Sequence, residues 1–163
     1  MSDLNIKIYS DGANVDDMIL ADKNNSVDGF TTNPTLMAKA GITDYLGFAK
    51  EVLSKINEKS ISFEVFSDEI NEMYDQAMVL KDLGENVYVK IPVTNTRQEY
   101  TYDLINKLSN EGVKLNVTAL FTIDHIDEVF KSLNKRIPSI ISIFAGRIAN
   151  AGIDPEPTML YAS

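Results

Sequence analysis

Six short apolar segments alternate with longer amphipathic segments along the 163-residue chain, and this order restricts the fold more than any single motif does. The amphipathic segments predict helices, with Asp44 and Asp68 as N-caps of two of them. A strand followed by a helix, repeated in this way, is typical of a parallel sheet. The predicted strands are Ile6–Ser10, Val27–Thr31, Ile61–Phe66, Val87–Ile91, Val113–Leu120 and Ser139–Phe144. The predicted helices are Val15–Asp22, Pro34–Ala40, Asp44–Asn57, Asp68–Leu83, Arg97–Asn110 and Ile123–Leu133.

Two architectures accept this order, an open doubly wound sheet and a (β/α)8 or TIM barrel, and the faces of the strands distinguish them. In the fourth predicted strand, valines and isoleucine alternate with Tyr88, Lys90 and Pro92. In the fifth, Asn116, Thr118 and Leu120 share the face opposite the valines. Helices cover both faces of an open sheet, whereas the inner face of a barrel carries functional groups. The sequence therefore predicts an α/β TIM barrel with about six βα units, forming a single incomplete domain over residues 1–163.

Six strands are too few to close an eight-stranded barrel. The first and sixth strands would then present unpaired edges, which favour association with another strand. We therefore expect the chain to form a homo-oligomer, or to obtain the remaining strands from another segment.

Composition excludes several classes of function. Fifteen Lys and Arg against 24 Asp and Glu give a net charge of −9, so nucleic acid is not an expected partner. The chain has no Cys and a single His, His125, so no metal site is expected. No apolar run reaches the ~18 residues of a membrane span, and the first residues lack the pattern of a secretory signal. A cytoplasmic location is therefore expected.

Lys90 lies inside an apolar strand, where a charged amine is costly to bury. One interpretation is a structural lysine that pairs with Glu64 or extends to the rim, and the other is a neutral, nucleophilic amine. Further polar residues fall at or just past the ends of the other strands, as on the floor of an active site, and they favour the second interpretation. These residues are Asp11, Asn33, Glu64, Asn116, Thr118, Ser142 and Arg147.

About one motif per predicted strand, in the same order along the chain, resembles the transaldolase family. The similarity is greatest to its compact branch, which includes fructose 6-phosphate aldolases. The motifs are YSDGAN at Tyr9–Asn14, TTNPTLM at Thr31–Met37, SFEVF at Ser62–Phe66, VKIPVT at Val89–Thr94, KLNVTALFT at Lys114–Thr122 and SIFAGRI at Ser142–Ile148.

The resemblance implies a TIM barrel acting on sugar phosphates through a class I mechanism, without a metal or another cofactor. It implies that Lys90 forms a Schiff base with a ketose phosphate and that Asp11 exchanges the proton of the C4 hydroxyl. Glu64 and Thr118 would hold the water of imine formation and hydrolysis. Arg147 would bind the phosphate group. The residues implied to bind substrate are Asn33, Asn116, Ser142, Phe144 and Arg147.

Two positions separate activities within this family. Transaldolases are expected to carry Glu on the third strand and Phe before the phosphate arginine, as Glu64 and Phe144 do here. The resemblance therefore implies transfer of a dihydroxyacetone unit between sugar phosphates in the pentose phosphate pathway. A fructose 6-phosphate aldolase is the alternative enzyme. An inactive barrel that serves as an assembly partner is a third alternative.

The segment Leu160–Ser163 resembles the start of the family's seventh strand, whose serine binds phosphate. Either a stretch between Met159 and Leu160 is missing relative to the family, or the match arises by chance. On the first reading Ser163 is a further candidate for substrate binding.

Overall fold

Six parallel strands form one sheet in the computed structural model, which describes residues 6–163. Residues 1–5, which belong to the N-terminal segment that lacks the pattern of a secretory signal, lie outside the described residues. The strands follow one another in chain order, and every neighbouring pair is parallel. They are β1 (Tyr9–Asp11), β2 (Gly29–Thr31), β3 (Ser60–Glu64), β4 (Val87–Pro92), β5 (Leu115–Leu120) and β6 (Ser139–Ile143).

Helices connect successive strands, as the alternation of segments predicts. The architecture is that of a partial TIM barrel, which confirms the predicted fold class. The helices are α1 (Val15–Lys23), α2 (Pro34–Lys39), α3 (Tyr45–Lys55), α4 (Ile70–Lys81), α5 (Tyr102–Asn110), α6 (Ile123–Ser132), α7 (Ala145–Asn150) and α8 (Glu156–Tyr161).

Alternation along the strands divides the sheet into an apolar outer face and a polar inner face. On the outer face, Phe63 and Val89 are fully buried in the core together with apolar side chains of the helices, such as Ala77 of α4. On the inner face, the register places Glu64, Lys90 and Asn116 side by side on β3, β4 and β5. The fold thus brings the polar residues of three consecutive strands into one row.

The prediction that Leu120 shares the polar face is wrong, because β5 contains a bulge. The register with β6 shifts between Val117 and Leu120, and Ala119 adopts a left-handed conformation with φ of 63°. The extra residue rotates the strand, so Leu120 pairs with Ile143 of the outer face and is fully buried.

Several predicted element ends also need correction. Asp44 caps α3 as expected, but α4 begins after Glu69, and Asp68 instead accepts hydrogen bonds from the amide and hydroxyl of Thr96. Helix α5 begins at Tyr102 rather than at Arg97, because residues 93–101 form a loop held by ion pairs. Strand β1 is shorter and later than predicted, and helices α7 and α8 are additional to the predicted elements.

Strands β1 and β6 are the edges of the sheet, and in the part of the chain that the structure describes they pair with no further strand. All five residues of β6 are partly exposed. Among residues 6–163, no helix has both the length and the apolar character needed to cross a bilayer.

Candidate active site

A cavity of about 590 Å³ opens at the carboxyl ends of the strands, where the barrel fold places its functional groups. Seven of the ten candidate residues line it. These seven are Asp11, Asn33, Lys90, Asn116, Ser142, Phe144 and Arg147.

The lysine on β4 is buried in the floor of this cavity and paired with a carboxylate. Lys90 Nζ lies 3.3 Å from Glu64 Oε2, and the two side chains are only 11% and 19% exposed. The contact is the ion pair that one interpretation of the sequence anticipated. It does not separate a structural lysine from a nucleophile, since a proton can move between the two groups at this distance.

Burial raises the pKa of the Glu64 carboxyl above its ordinary value, and the nearby charge of Asp11 raises it further, while Lys90 opposes the shift. The carboxyl therefore remains protonated to higher pH than an exposed glutamate. Such a carboxyl group can donate a proton as well as accept one.

Local hydrogen bonds orient two further polar side chains of the cavity. Thr31 Oγ1 donates to Asp11 Oδ1 at 2.8 Å across the β1–β2 pair. Asn33 caps α2, because its Oδ1 accepts from the amide of Leu36 at 2.9 Å, and Pro34 occupies the first turn. Asn33 also lines the cavity, and its side-chain NH2 group is the donor that it can offer there.

Two buried polar atoms on β5 lack a partner among the described residues. Asn116 Nδ2 donates to Ser62 Oγ at 3.0 Å, but Asn116 Oδ1 has no hydrogen-bond partner. The same holds for Thr118 Oγ1, whose residue is 2% exposed. Buried polar atoms are normally paired, so both oxygens are suited to accept a hydrogen bond from a bound water, and Asn116 also lines the cavity.

Strand β6 and helix α7 form one wall of the cavity with Ser142, Phe144 and Arg147. The ring of Phe144 packs edge-to-face on Phe121 at 5.7 Å, which makes this side of the wall apolar. Arg147 is exposed, and its guanidinium group makes no ion pair with any residue from 6 to 163, so it can face an anionic ligand.

Ser163 is not brought to the cavity. Residues 156–161 form helix α8 instead of a strand, and Ser163 Oγ donates to the carbonyl of Leu160. The hydroxyl of Tyr161 donates to Asp127, on helix α6. We therefore leave Ser163 out of the site.

Three polar residues of this region were not predicted as site residues. Thr31 and Asn150 line the cavity, and Ser62 bonds Asn116. Ser62 lies on the polar face that alternation already indicated. Asn150 lies three residues after Arg147, which places both on the same face of α7.

Within residues 6–163, no group of three or more His, Cys, Asp or Glu side chains is arranged to hold a metal ion. The polar groups at the cavity and its floor are an amine, two carboxyl groups, amides, hydroxyls and a guanidinium group.

The family described as Transaldolase/Fructose-6-phosphate aldolase matches residues 8–160, which is nearly the whole chain. The chain belongs to this family. The match includes every strand of the sheet and all the residues that line the cavity.

Curated relatives carry the name probable transaldolase. One from Dehalococcoides mccartyi is 35% identical over 149 residues, covering 91% of this chain and 65% of the relative. One from Methanococcus maripaludis is 36% identical over 149 residues, with the same coverage. One from a Thermoanaerobacter species is 38% identical over 117 residues, covering 72% of this chain and 51% of the relative.

The chain thus spans about 65% or less of the length of these relatives.

Proposed function

We propose that the chain is a transaldolase that moves a dihydroxyacetone unit between sugar phosphates, such as fructose 6-phosphate and sedoheptulose 7-phosphate. The main support is the buried Lys90 amine on the cavity floor, 3.3 Å from a carboxyl group whose pKa is raised. Family membership and the names of the relatives support the same reaction.

The first step is attack of the Lys90 amine on the C2 carbonyl of the ketose phosphate. Transfer of the lysine proton to Glu64 would leave a neutral amine beside a protonated carboxyl. The carboxyl then protonates the hydroxyl of the carbinolamine, which leaves as water and gives the iminium ion. Thr118, whose buried hydroxyl has no partner among the described residues, would hold that water.

The second step is cleavage of the C3–C4 bond. Asp11 takes the proton of the C4 hydroxyl, the bonding electrons move into the iminium ion, and an aldehyde phosphate leaves. The resulting enamine then attacks the acceptor aldehyde, and Asp11 returns the proton to the new hydroxyl. Water finally hydrolyses the imine and releases the second ketose phosphate.

The remaining cavity residues would bind and orient the sugar. Asn33, Asn116 and Ser142 offer donors and acceptors to its hydroxyls, and Arg147 would bind the phosphate in a bidentate manner. Phe144 keeps one wall apolar, which disfavours protonation of the enamine carbon by water and so favours transfer to an aldehyde over release of free dihydroxyacetone. The pathway implied is the pentose phosphate pathway, in the cytoplasm, with the chain acting as a homo-oligomer.

Trapping of the imine tests this proposal. The chain is incubated with fructose 6-phosphate and reduced with borohydride, and mass spectrometry should locate an adduct on Lys90. Lys90→Met should abolish the adduct. Lys59→Met, which removes a lysine paired with Asp22 outside the cavity, should retain it. A folded wild-type chain that stays unlabelled would contradict catalysis and favour an inactive assembly partner.

Product analysis separates the two enzymes. With a four-carbon aldose phosphate as acceptor, a transaldolase forms sedoheptulose 7-phosphate. Release of free dihydroxyacetone at the same rate with and without an acceptor would instead favour a fructose 6-phosphate aldolase.

A further inference from the structure

Strand β3 ends at Glu64, and the carbonyl at this end cannot be paired in the usual way. Thr32 donates its amide to Ser62 O in the ladder between β2 and β3. The next donor along that side of the ladder would be residue 34, two residues further on, but it is Pro34, which has no N–H. The carbonyl of Glu64 therefore needs a donor from elsewhere.

The hydroxyl of Tyr45, at the start of α3, supplies that donor. Tyr45 OH donates to the main-chain carbonyl of Glu64 at 2.7 Å. Its ring packs edge-to-face on Phe63 and Phe66, with centroid distances of 6.1 and 4.4 Å, so its position is defined by packing. Burial and the Glu64 carboxylate raise the pKa of Tyr45 far above its ordinary value, so the hydroxyl keeps its proton.

The same peptide unit also binds β4. The carbonyl of Glu64 and the amide of Val65 belong to one peptide group, and that amide donates to the carbonyl of Lys90 at 3.2 Å. Just beyond it, Gln76 Oε1 of α4 accepts from the amides of Phe66 and Ser67 at 2.7 and 3.1 Å. Helices α3 and α4 therefore both hold the backbone at Glu64 and just after it. The same backbone donates a hydrogen bond directly to Lys90, the residue that the Glu64 side chain contacts.

We infer that Tyr45, assisted by Gln76, is a positioning residue that holds the Glu64 carboxyl against the Lys90 amine. This inference rests on the proposed function, because it concerns the geometry of imine formation. Tyr45 does not contact the substrate in this scheme. It acts through the Glu64 peptide group.

The test is a double-mutant cycle on the rate of borohydride-trappable imine formation. Tyr45→Phe should slow trapping about tenfold at saturating fructose 6-phosphate, with little change in KM, because small displacements of a proton-transfer group are costly. In the Glu64→Gln background the same change should have no further effect. A merely structural tyrosine would instead reduce trapping by the same factor in both backgrounds.

Matched variants control for folding. Tyr74→Phe removes a hydroxyl that donates to Glu111 at 2.8 Å on the surface, and it should trap at the wild-type rate. Gln76→Glu keeps an acceptor oxygen and should remain active, whereas Gln76→Met removes it and should slow trapping. If Tyr45→Phe does not fold, the comparison of Gln76→Glu with Gln76→Met tests the inference instead.

The outcomes are distinguishable. If wild type gives no adduct, the proposed function fails. The inference is overturned, while the proposed function stands, if wild type is trapped and both Tyr45→Phe and Gln76→Met are trapped as fast as wild type. It is also overturned if these substitutions slow trapping by the same factor in the Glu64→Gln background as in wild type.

Discussion

The ion pair between Lys90 and Glu64 has a consequence for stability that can be measured as a function of pH. The folded-state pKa of Glu64 is raised above 4.5 by burial, so folding disfavours its ionised form. The favourable contribution of Glu64 to the unfolding free energy is therefore fully present below pH 4.5 and is lost as pH rises through its folded-state pKa. We predict that the unfolding free energy of wild type minus that of Glu64→Gln falls as pH rises from 4.5 through the folded-state pKa of Glu64. Urea denaturation at several pH values measures the difference.

Glu69 provides a control of opposite sign. Hydrogen bonds from Arg97 lower the pKa of Glu69, so its contribution is present above pH 4.5 and is lost as pH falls. The unfolding free energy of wild type minus that of Glu69→Gln should therefore rise with pH. A difference curve for Glu64 that is flat, or that rises like that of Glu69, would contradict the assignment of burial as the dominant cause.

At the residue scale, the sequence predicts side chains that alternation places on one face. Lys90, Glu64 and Asn116 lie in one row because each occupies an inward position of a regular strand. Tyr45 could not be predicted, because its contact depends on where α3 packs relative to the end of β3. Ser163 could not be assigned from four matching letters, since local hydrogen bonds favour a helix there.

At the element scale, the bulge in β5 predicts an unusual order of stability. Ala119 has a positive φ, which glycine adopts freely and β-branched residues strongly disfavour. We predict that Ala119→Val destabilises the chain by about 1–3 kcal/mol, while Ala119→Gly stays within about 1 kcal/mol of wild type. Urea denaturation checks both values. Valine ordinarily stabilises strands more than glycine does. If Ala119→Val is at least as stable as Ala119→Gly, the bulge does not form.

The same element shows where sequence patterns lose their power. Alternation predicts β5 correctly up to Thr118 and fails at Leu120, because an inserted residue leaves no compositional trace in the sequence. The interiors of the longer strands and helices follow hydrophobic period and are predicted well. Their ends depend on contacts between distant loops, such as the hydrogen bonds from Thr96 to Asp68, and are predicted poorly.

At the scale of the whole molecule, the two edge strands dominate the expected behaviour in solution. Strand β6 is partly exposed along its length, and within residues 6–163 it pairs with β5 alone. We predict concentration-dependent self-association of the 163-residue chain, because an open strand edge can pair with another edge. Sedimentation equilibrium over a wide range of concentrations measures it.

A pair of Ser→Lys variants separates edge pairing from a general charge effect. Ser139→Lys places a cation on β6 and should raise the concentration needed for association by about tenfold or more. Ser132→Lys adds the same charge at the end of α6 and should behave as wild type. A strictly monomeric wild type, or equal responses of the two variants, would count against association through β6.

The cap on helix α2 sets the direction of hydrogen bonding in the cavity. Asn33 Oδ1 already accepts from the amide of Leu36, so under the proposed function the donor that Asn33 offers to a sugar hydroxyl is its NH2 group, and the oxygen of that hydroxyl accepts. The proton of that hydroxyl is then turned away from Asn33 and is available to a second group. Asp11 is the carboxylate that lines the same cavity, so under the proposed function this helix cap would favour a sugar proton directed toward Asp11 before any reaction begins.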